Sequence, residues 1–253
     1  MDEKKECVQF DQYQRYMTVS HVIEYWRRKE ENVSYRILEL GSNEHKDLEA
    51  FLPNDEILYT DLVLTEKMKS DPAFMQADGS DLPFEDGSFD FVVSLDVLEH
   101  VPEERRKLFF SEASRVAGKA AILSFPYQAP YIQDAENRVN SFYKAVTGDD
   151  FIWLKEHREN GLPDLNRVEA ALGNLCLNSV RFFHGDIHIW EKMWYSILRG
   201  EVETETQEYK KVRTCASFRL PLYWTQQNPK EAKDHEFQPF RQKENELRAL
   251  FEL

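Results

Sequence analysis

Residues 35–40 read YRILEL, a short β-prone run with apolar side chains at Ile37, Leu38 and Leu40, and it stops at Gly41. Ser42, Asn43 and Glu44 suit the opening of a helix, and LEAFL at 48–52 has helical spacing. Strand, tight glycine turn and helix make the first half of a βαβ unit. Gly41 allows a sharp turn and lets a ligand come close to the backbone, because it carries no Cβ. The N–H groups that open the helix are expected to point at that ligand.

The rest of a parallel sheet follows on schedule. Residues 56–60 form a second apolar, β-branched run ending in Asp61. An acid about 20 positions past a glycine turn, at a strand tip, is placed to accept hydrogen bonds from a ribose diol. A third strand is expected at 74–76, before Asp78-Gly79, and Asp86-Gly87 is a turn signal. Residues 89–95 are almost unbroken apolar, as expected for a central parallel strand covered on both faces. Asp96-Val97-Leu98-Glu99-His100 leaves its carboxyl end. A helix over 103–116, ended by Gly118, and a fifth strand over 120–125 complete the pattern.

The order LELG, YTDL, ADGSDLPFEDGSFDFVVSLDVLEHVP and SRVAGKAAILSFP resembles the class I S-adenosylmethionine-dependent methyltransferases, small-molecule branch, over about residues 35–125. The resemblance implies an α/β fold: a Rossmann-like, doubly wound, mostly parallel seven-stranded sheet with helices on both faces and helical additions on the acceptor side. It implies S-adenosylmethionine as cofactor. The family often has G-x-G-x-G in its first turn; here only Gly41 is glycine, and Ser42-Asn43 make a variant turn. By that resemblance Glu39 meets the cationic end of the cofactor, and Gly41, Ser42 and Asn43 form the turn beside it. Asp61 takes the ribose, with Leu62 or Val63 against the adenine. Asp78 accepts from the adenine amino group, where Gly79 leaves room for the ring. Leu95 and Asp96 border the sulfonium. The N-terminal helix expected over 10–28 places Tyr13, Gln14 and Tyr16 near the cofactor or acceptor, with Tyr16 a cofactor-binding candidate.

Each assignment has a plainer reading. Tyr13 and Tyr16 suit the core of a covering helix, and Asp61 and Asp78 are common turn or cap residues. An acid inside a strand, as at Glu39, is costly to bury without partners, so a surface acid is the alternative there. His100 is a general-base candidate by its ordinary pKa of about 6.5, or a residue that caps the next helix. His157, in the aromatic stretch 151–157 that precedes a Gly-Pro turn, is the second catalytic candidate and part of an expected acceptor wall.

One domain over 1–253 is expected, with core 35–125 and acceptor-side and C-terminal additions over 126–253. Residues 128–150 are polar enough for a lid. Helices are expected over 165–175 and 187–198, a sixth strand at 179–183 and a seventh, antiparallel, at 215–224. The net charge of −14 argues against a nucleic-acid partner, which usually meets a basic face. Cys7, Cys176 and Cys215 are odd in number and far apart, neither a disulfide framework nor a zinc pattern. Reduced thiols and no apolar run of spanning length suggest a cytoplasmic protein. The histidines have no metal-ligand spacing, so no metal is expected. The acceptor is expected to be a small molecule or glycan-like. A catalytically silent binding module and, behind it, a nicotinamide-dependent oxidoreductase are the alternatives.

Overall fold

The computed structural model describes residues 10–31, 34–181, 183 and 185–202. Five strands form one parallel sheet: β1 (Arg36–Leu40), β2 (Glu56–Asp61), β3 (Phe74–Gln76), β4 (Phe89–Leu95) and β5 (Ala117–Ser124), in the order β3-β2-β1-β4-β5. The chain winds outward from β1 to β3, then returns to the other side of β1 for β4. Ligands of open parallel sheets sit at such a switch point, outside the carboxyl ends of the strands.

Strand alternation sorts the core into two layers. Ile37 pairs with Ile57 and Phe91, and Glu39 lies between Tyr59 and Val93. These residues, apart from Glu39, form one apolar layer with α1 (Phe10–Glu30) and the short α2 (Leu48–Phe51). Leu38, Leu40 and Val92 face the other way, against Phe109, Phe110, Ala113 and Val116 of α4 (Glu103–Val116). A helix this long rests its stability on that buried stripe, not on propensity. A one-turn α3 (Glu66–Lys69) is capped by the Thr65 hydroxyl, which accepts from the Met68 N–H.

Several expectations change. The sheet has five strands among the described residues, not seven. Ser179, Val180, Arg181 and Phe183 have irregular backbone, and the stretch 215–224 lies outside the described residues. Gly118 does not end α4; the helix stops at Val116 and β5 begins at Ala117, running through the glycine. Most of the stretch 128–150, read as polar enough for a lid, is helical. Pro130 opens an 18-residue α5 (Pro130–Thr147), since its fixed φ suits the first turn, and Gly148 ends it at φ 89°. Its apolar residues Ile132, Ala135 and Val139 were hidden among polar ones.

Beyond α5 come α6 (Ile152–Asn160), α7 (Leu165–Asn174) and α8 (Ile187–Val202). Asp164 caps α7 as expected, accepting from the Arg167 N–H at 3.0 Å. Val139, Leu154 and Leu198 join α5, α6 and α8 in a second small core with Trp190 and Trp194. No helix among the described residues is long and apolar enough to cross a membrane.

Candidate functional site

The carboxyl rim of the sheet gathers most of the singled-out residues. Gly41 has φ +70°, and a Cβ there would stand 2.5 Å from Val97 Cγ2. The turn therefore needs glycine twice over, for its left-handed backbone and for the valine packed on it. The helix expected to follow starts late, at Leu48, and has four residues. The turn's N–H groups are used internally. Gly41 N–H and Ser42 N–H donate to the Thr60 carbonyl at 2.8 and 3.2 Å. Asn43 N–H donates to Asp61 Oδ2 at 3.0 Å, and Glu44 N–H to the Asn43 side chain at 2.9 Å. Asn43 takes φ 52° and Ser42 is buried. The fan of free donors expected at a helix start is thus absent here, and side chains are left to hold a ligand.

Glu39 is not a surface acid: it is 2% exposed. Its Oε1 accepts from the Tyr16 hydroxyl at 3.0 Å, and its Oε2 has no hydrogen-bond partner. Burial pushes its carboxyl up to about 8, while the Tyr16 hydroxyl pulls the other way. The Tyr16 phenol is raised in turn, by burial and by Glu39. Tyr16 itself belongs to the core and stacks near Phe51, so it reaches the rim only through Glu39. Tyr13 packs against the same core.

Asp61 stands at the end of β2, turned to the Gly41 turn through Asn43, with lone pairs to spare. Leu62 and Val63 beside it are 59% and 70% exposed. Asp78 follows β3 and closes a turn through the Ser80 N–H at 2.9 Å, while Arg105 of α4 holds its Oδ2 at 2.7 Å. Burial raises the Asp78 carboxyl, but these donors outweigh it and hold it below its ordinary range. The gap left by Gly79 is filled by the ring of Phe109, which corrects the expectation of room for a ligand ring there. Asp96 adopts φ 53° at the end of β4, donates its N–H to Ser124, and is ion-paired with Arg15 of α1. Leu95 packs partly buried on the α1 layer.

Past Asp96 the chain makes a 3₁₀ turn, Leu98–His100, against which α6 packs. This brings His100 and His157 together with their rings 4.9 Å apart. His100 Nδ1 is 2.8 Å from Glu156 Oε2, and His157 Nδ1 is 2.9 Å from Glu136 Oε1. Glu99, 1% exposed, places Oε1 3.9 Å from His157 Nε2, and its Oε2 has no partner. Burial, and then the charge of Asp96, raise the Glu99 carboxyl well above its ordinary range. Burial and the neighbouring His157 lower His100, against the pull of Glu156. Trp153 meets the His100 ring edge-on, and Asn160 donates to the His100 carbonyl at 3.0 Å.

Residues 55–125 match the family model described as a methyltransferase domain. Over that stretch the chain is similar to methyltransferase domains. The donor of such domains is S-adenosylmethionine. The orphaned Glu39 Oε2 and the rim carboxylate Asp61 suit a cationic nucleoside, so the residues at this rim fit that donor. Among solved structures, the YcgJ protein of Bacillus subtilis is 17% identical, with 76% of this chain and 87% of that one covered at a TM-score of 0.46. A protein of Methanococcus maripaludis described as an S-adenosylmethionine-dependent methyltransferase is 17% identical, with 68% and 81% covered at 0.44. The 1,6-didemethyltoxoflavin-N1-methyltransferase of Burkholderia thailandensis, solved with S-adenosylhomocysteine, is 14% identical, with 40% and 47% covered at 0.32. Likenesses at these scores are too remote to transfer residue roles or an acceptor.

The sequence reading missed Arg15, Glu99, Arg105, Glu136 and Glu156. Only Glu99 carried a local signal, as an acid flanking His100. The others reach the site from helices and lie 21 to 81 positions away from their partners.

Proposed function

We propose that this methyltransferase domain moves a methyl group from S-adenosylmethionine to an oxygen of a small-molecule or glycan-like acceptor. The observation that carries this reading is the His100–His157 cluster at the end of β4, with a carboxylate on each imidazole Nδ1. A phenolate or carboxylate acceptor needs no help in losing a proton, whereas an alcohol does. Two oriented imidazoles beside the rim suit the second case.

The donor supplies a methyl group already activated on a sulfonium. The chain's part is to bind, orient and exclude water. Glu39 receives the cationic end, with Tyr16 fixing the carboxylate from behind. Asp61 accepts from the ribose diol and Asp78 from the adenine amino group. Gly41, Ser42 and Asn43 shape the wall next to Glu39, and Leu62 lies along the adenine side. Leu95 and Asp96 border the sulfonium. His100 and His157 assist the acceptor hydroxyl in losing its proton, and Trp153 of α6 forms part of the acceptor wall. In this reading the helices α5, α6 and α7 are acceptor-side additions, and an acidic chain of this charge suits a neutral acceptor better than a nucleic acid.

Calorimetry with S-adenosylhomocysteine tests the donor half. Micromolar binding that weakens at least tenfold in Asp61→Ala is the expected result, and no heat with the intact protein would sink the reading. Transfer of labelled methyl from the donor to a panel of hydroxyl and carboxylate acceptors tests the other half. Activity confined to carboxylates would remove the role given to the histidines.

A further inference from the structure

Among the described residues, Glu99, His100 and His157 offer one carboxylate oxygen and two imidazole nitrogens that all lie within 4.8 Å of one another. We propose that this trio is a binding site for one divalent first-row transition cation, such as Mn²⁺, Fe²⁺, Co²⁺ or Zn²⁺. The proposal rests on the functional reading above and deepens it: the cation would hold and polarise the acceptor oxygen.

The carboxylate on the far side of each imidazole is what separates this trio from a chance gathering. A metal-bound histidine almost always gives its other ring N–H to a carboxylate or carbonyl, which fixes the tautomer and leaves one lone pair for the metal. Both histidines have that partner. Glu156 takes Nδ1 of His100 and Glu136 takes Nδ1 of His157, at 2.8 and 2.9 Å. Each Nε2 is thereby left as the ligating atom, and the Nε2 of His157 faces Glu99 Oε1 at 3.9 Å. An independent observation points the same way. Glu99 is 99% buried, yet its Oε2 has no hydrogen-bond partner. A buried carboxylate in that state is costly unless a cation meets it.

The charges of Arg15 and Arg106 act on Glu99, but the guanidinium of Arg106 donates its hydrogen bonds to the carbonyls of Leu98, Val101, Asn160 and Gly161. These bonds tie α4, the 3₁₀ turn and α6 together and so hold the ligands' frame rigid. Bond lengths of about 2.0–2.2 Å to nitrogen and carboxylate oxygen place the donor atoms of one ion roughly 3.0–3.5 Å apart, so binding draws the trio together from separations of up to 4.8 Å. Two imidazoles and one carboxylate select transition cations over Mg²⁺ and Ca²⁺, which prefer oxygen ligands. Three protein ligands leave positions open for an acceptor oxygen. With the cation bound, the two imidazoles would assist through it and not as free bases: the acceptor O–H gives its proton to water, the new O–CH₃ bond forms as the S–CH₃ bond breaks, and the donor leaves as neutral S-adenosylhomocysteine. No electron is gained or lost.

The test uses the full chain after treatment with a chelator. Co²⁺ is titrated in while its visible absorption is followed, and Mn²⁺ and Zn²⁺ are titrated by calorimetry. One Co²⁺ per chain is expected, with absorption bands of a protein-bound ion. Glu99→Gln and His157→Asn should weaken binding at least tenfold, and Glu136→Gln should weaken it less. S-adenosylhomocysteine affinity, measured on every variant, should stay as in the parent and reports folding. Should Glu99→Gln fail to fold, His157→Asn and the spectrum of the intact protein decide. No cation binding by a chain that binds S-adenosylhomocysteine would overturn this site and leave the methyltransferase reading with free imidazoles. Cation binding unmoved by both ligand substitutions would place the ion elsewhere and overturn it equally. Loss of S-adenosylhomocysteine binding by the intact chain would instead strike the functional reading itself.

Discussion

The hydroxyl of Tyr16 on α1 donates to the carboxylate of Glu39 inside β1 at 3.0 Å, joining two residues 23 positions apart and closing one oxygen of a buried acid. The other oxygen has no partner. Tyr16→Phe removes the one hydrogen bond and leaves both oxygens exposed to the same apolar surroundings. Hydrogen bonds to charged groups contribute about 1.5–3 kcal/mol, so donor affinity should fall about tenfold. Calorimetry with S-adenosylmethionine checks this; unchanged affinity would separate Glu39 from the donor.

Glu39 also makes the stability of the donor-free protein depend on pH. Its carboxyl is pushed up to about 8 in the fold, above the ordinary carboxylate value it has in the unfolded chain. Between those two values the folded state binds the proton more tightly. Its contribution to stability is therefore greatest below the ordinary carboxylate range and is lost as pH rises towards 8. Glu39→Gln cannot ionise, so its melting temperature should exceed the parent's by more at pH 8 than at pH 5. Thermal unfolding of both proteins at the two pH values gives the answer. An advantage that is equal at both would mean that Glu39 is already ionised in the fold.

Gly41→Ala should destabilise by about 1–3 kcal/mol, because it combines a left-handed φ with a close meeting with Val97. Adding Val97→Ala relieves the meeting but not the backbone. The double variant should therefore regain part of the loss relative to the sum of the singles. Urea denaturation of the four proteins in a cycle measures this coupling. Strict additivity would show that the valine is not what excludes a side chain.

Arg15 ties α1 to Asp96 at the end of β4, across 81 positions. The pair is only partly exposed, so Arg15→Ala should lower stability by about 1 kcal/mol, as for a modest ion pair. Its effect on the donor should be larger, since Asp96 is held in a left-handed conformation beside the proposed sulfonium position. A melting shift of a few degrees together with a tenfold loss of S-adenosylhomocysteine affinity is expected. A melting shift alone would assign the pair to the fold.

The core strands were legible because parallel strands buried on both faces read as short apolar runs. The runs 56–60, 74–76 and 89–95 lie where β2, β3 and β4 formed, to within one residue. Asp61 could be placed at the rim for the same reason: the end of a run is visible in the chain. The additions were harder. The apolar residues of α5 are spaced among charges, and residues 179–183 looked like a strand only because β-branched and aromatic residues also suit irregular packing. The late start of α2 was invisible, because Asn43 and Asp61 satisfy the turn's donors through a contact between separate segments.

By itself, then, the sequence determined a parallel α/β sheet with an acidic, glycine-turned rim, since local periodicity and turn chemistry act over a few residues. Only the tertiary structure decided what that rim can do. Glu136 and His157 are 21 positions apart, and Glu99 and His157 are 58; they meet because α5 and α6 fold back over the end of β4. No local pattern encodes that meeting, because it depends on which buried faces pack together, and burial is a property of the folded whole.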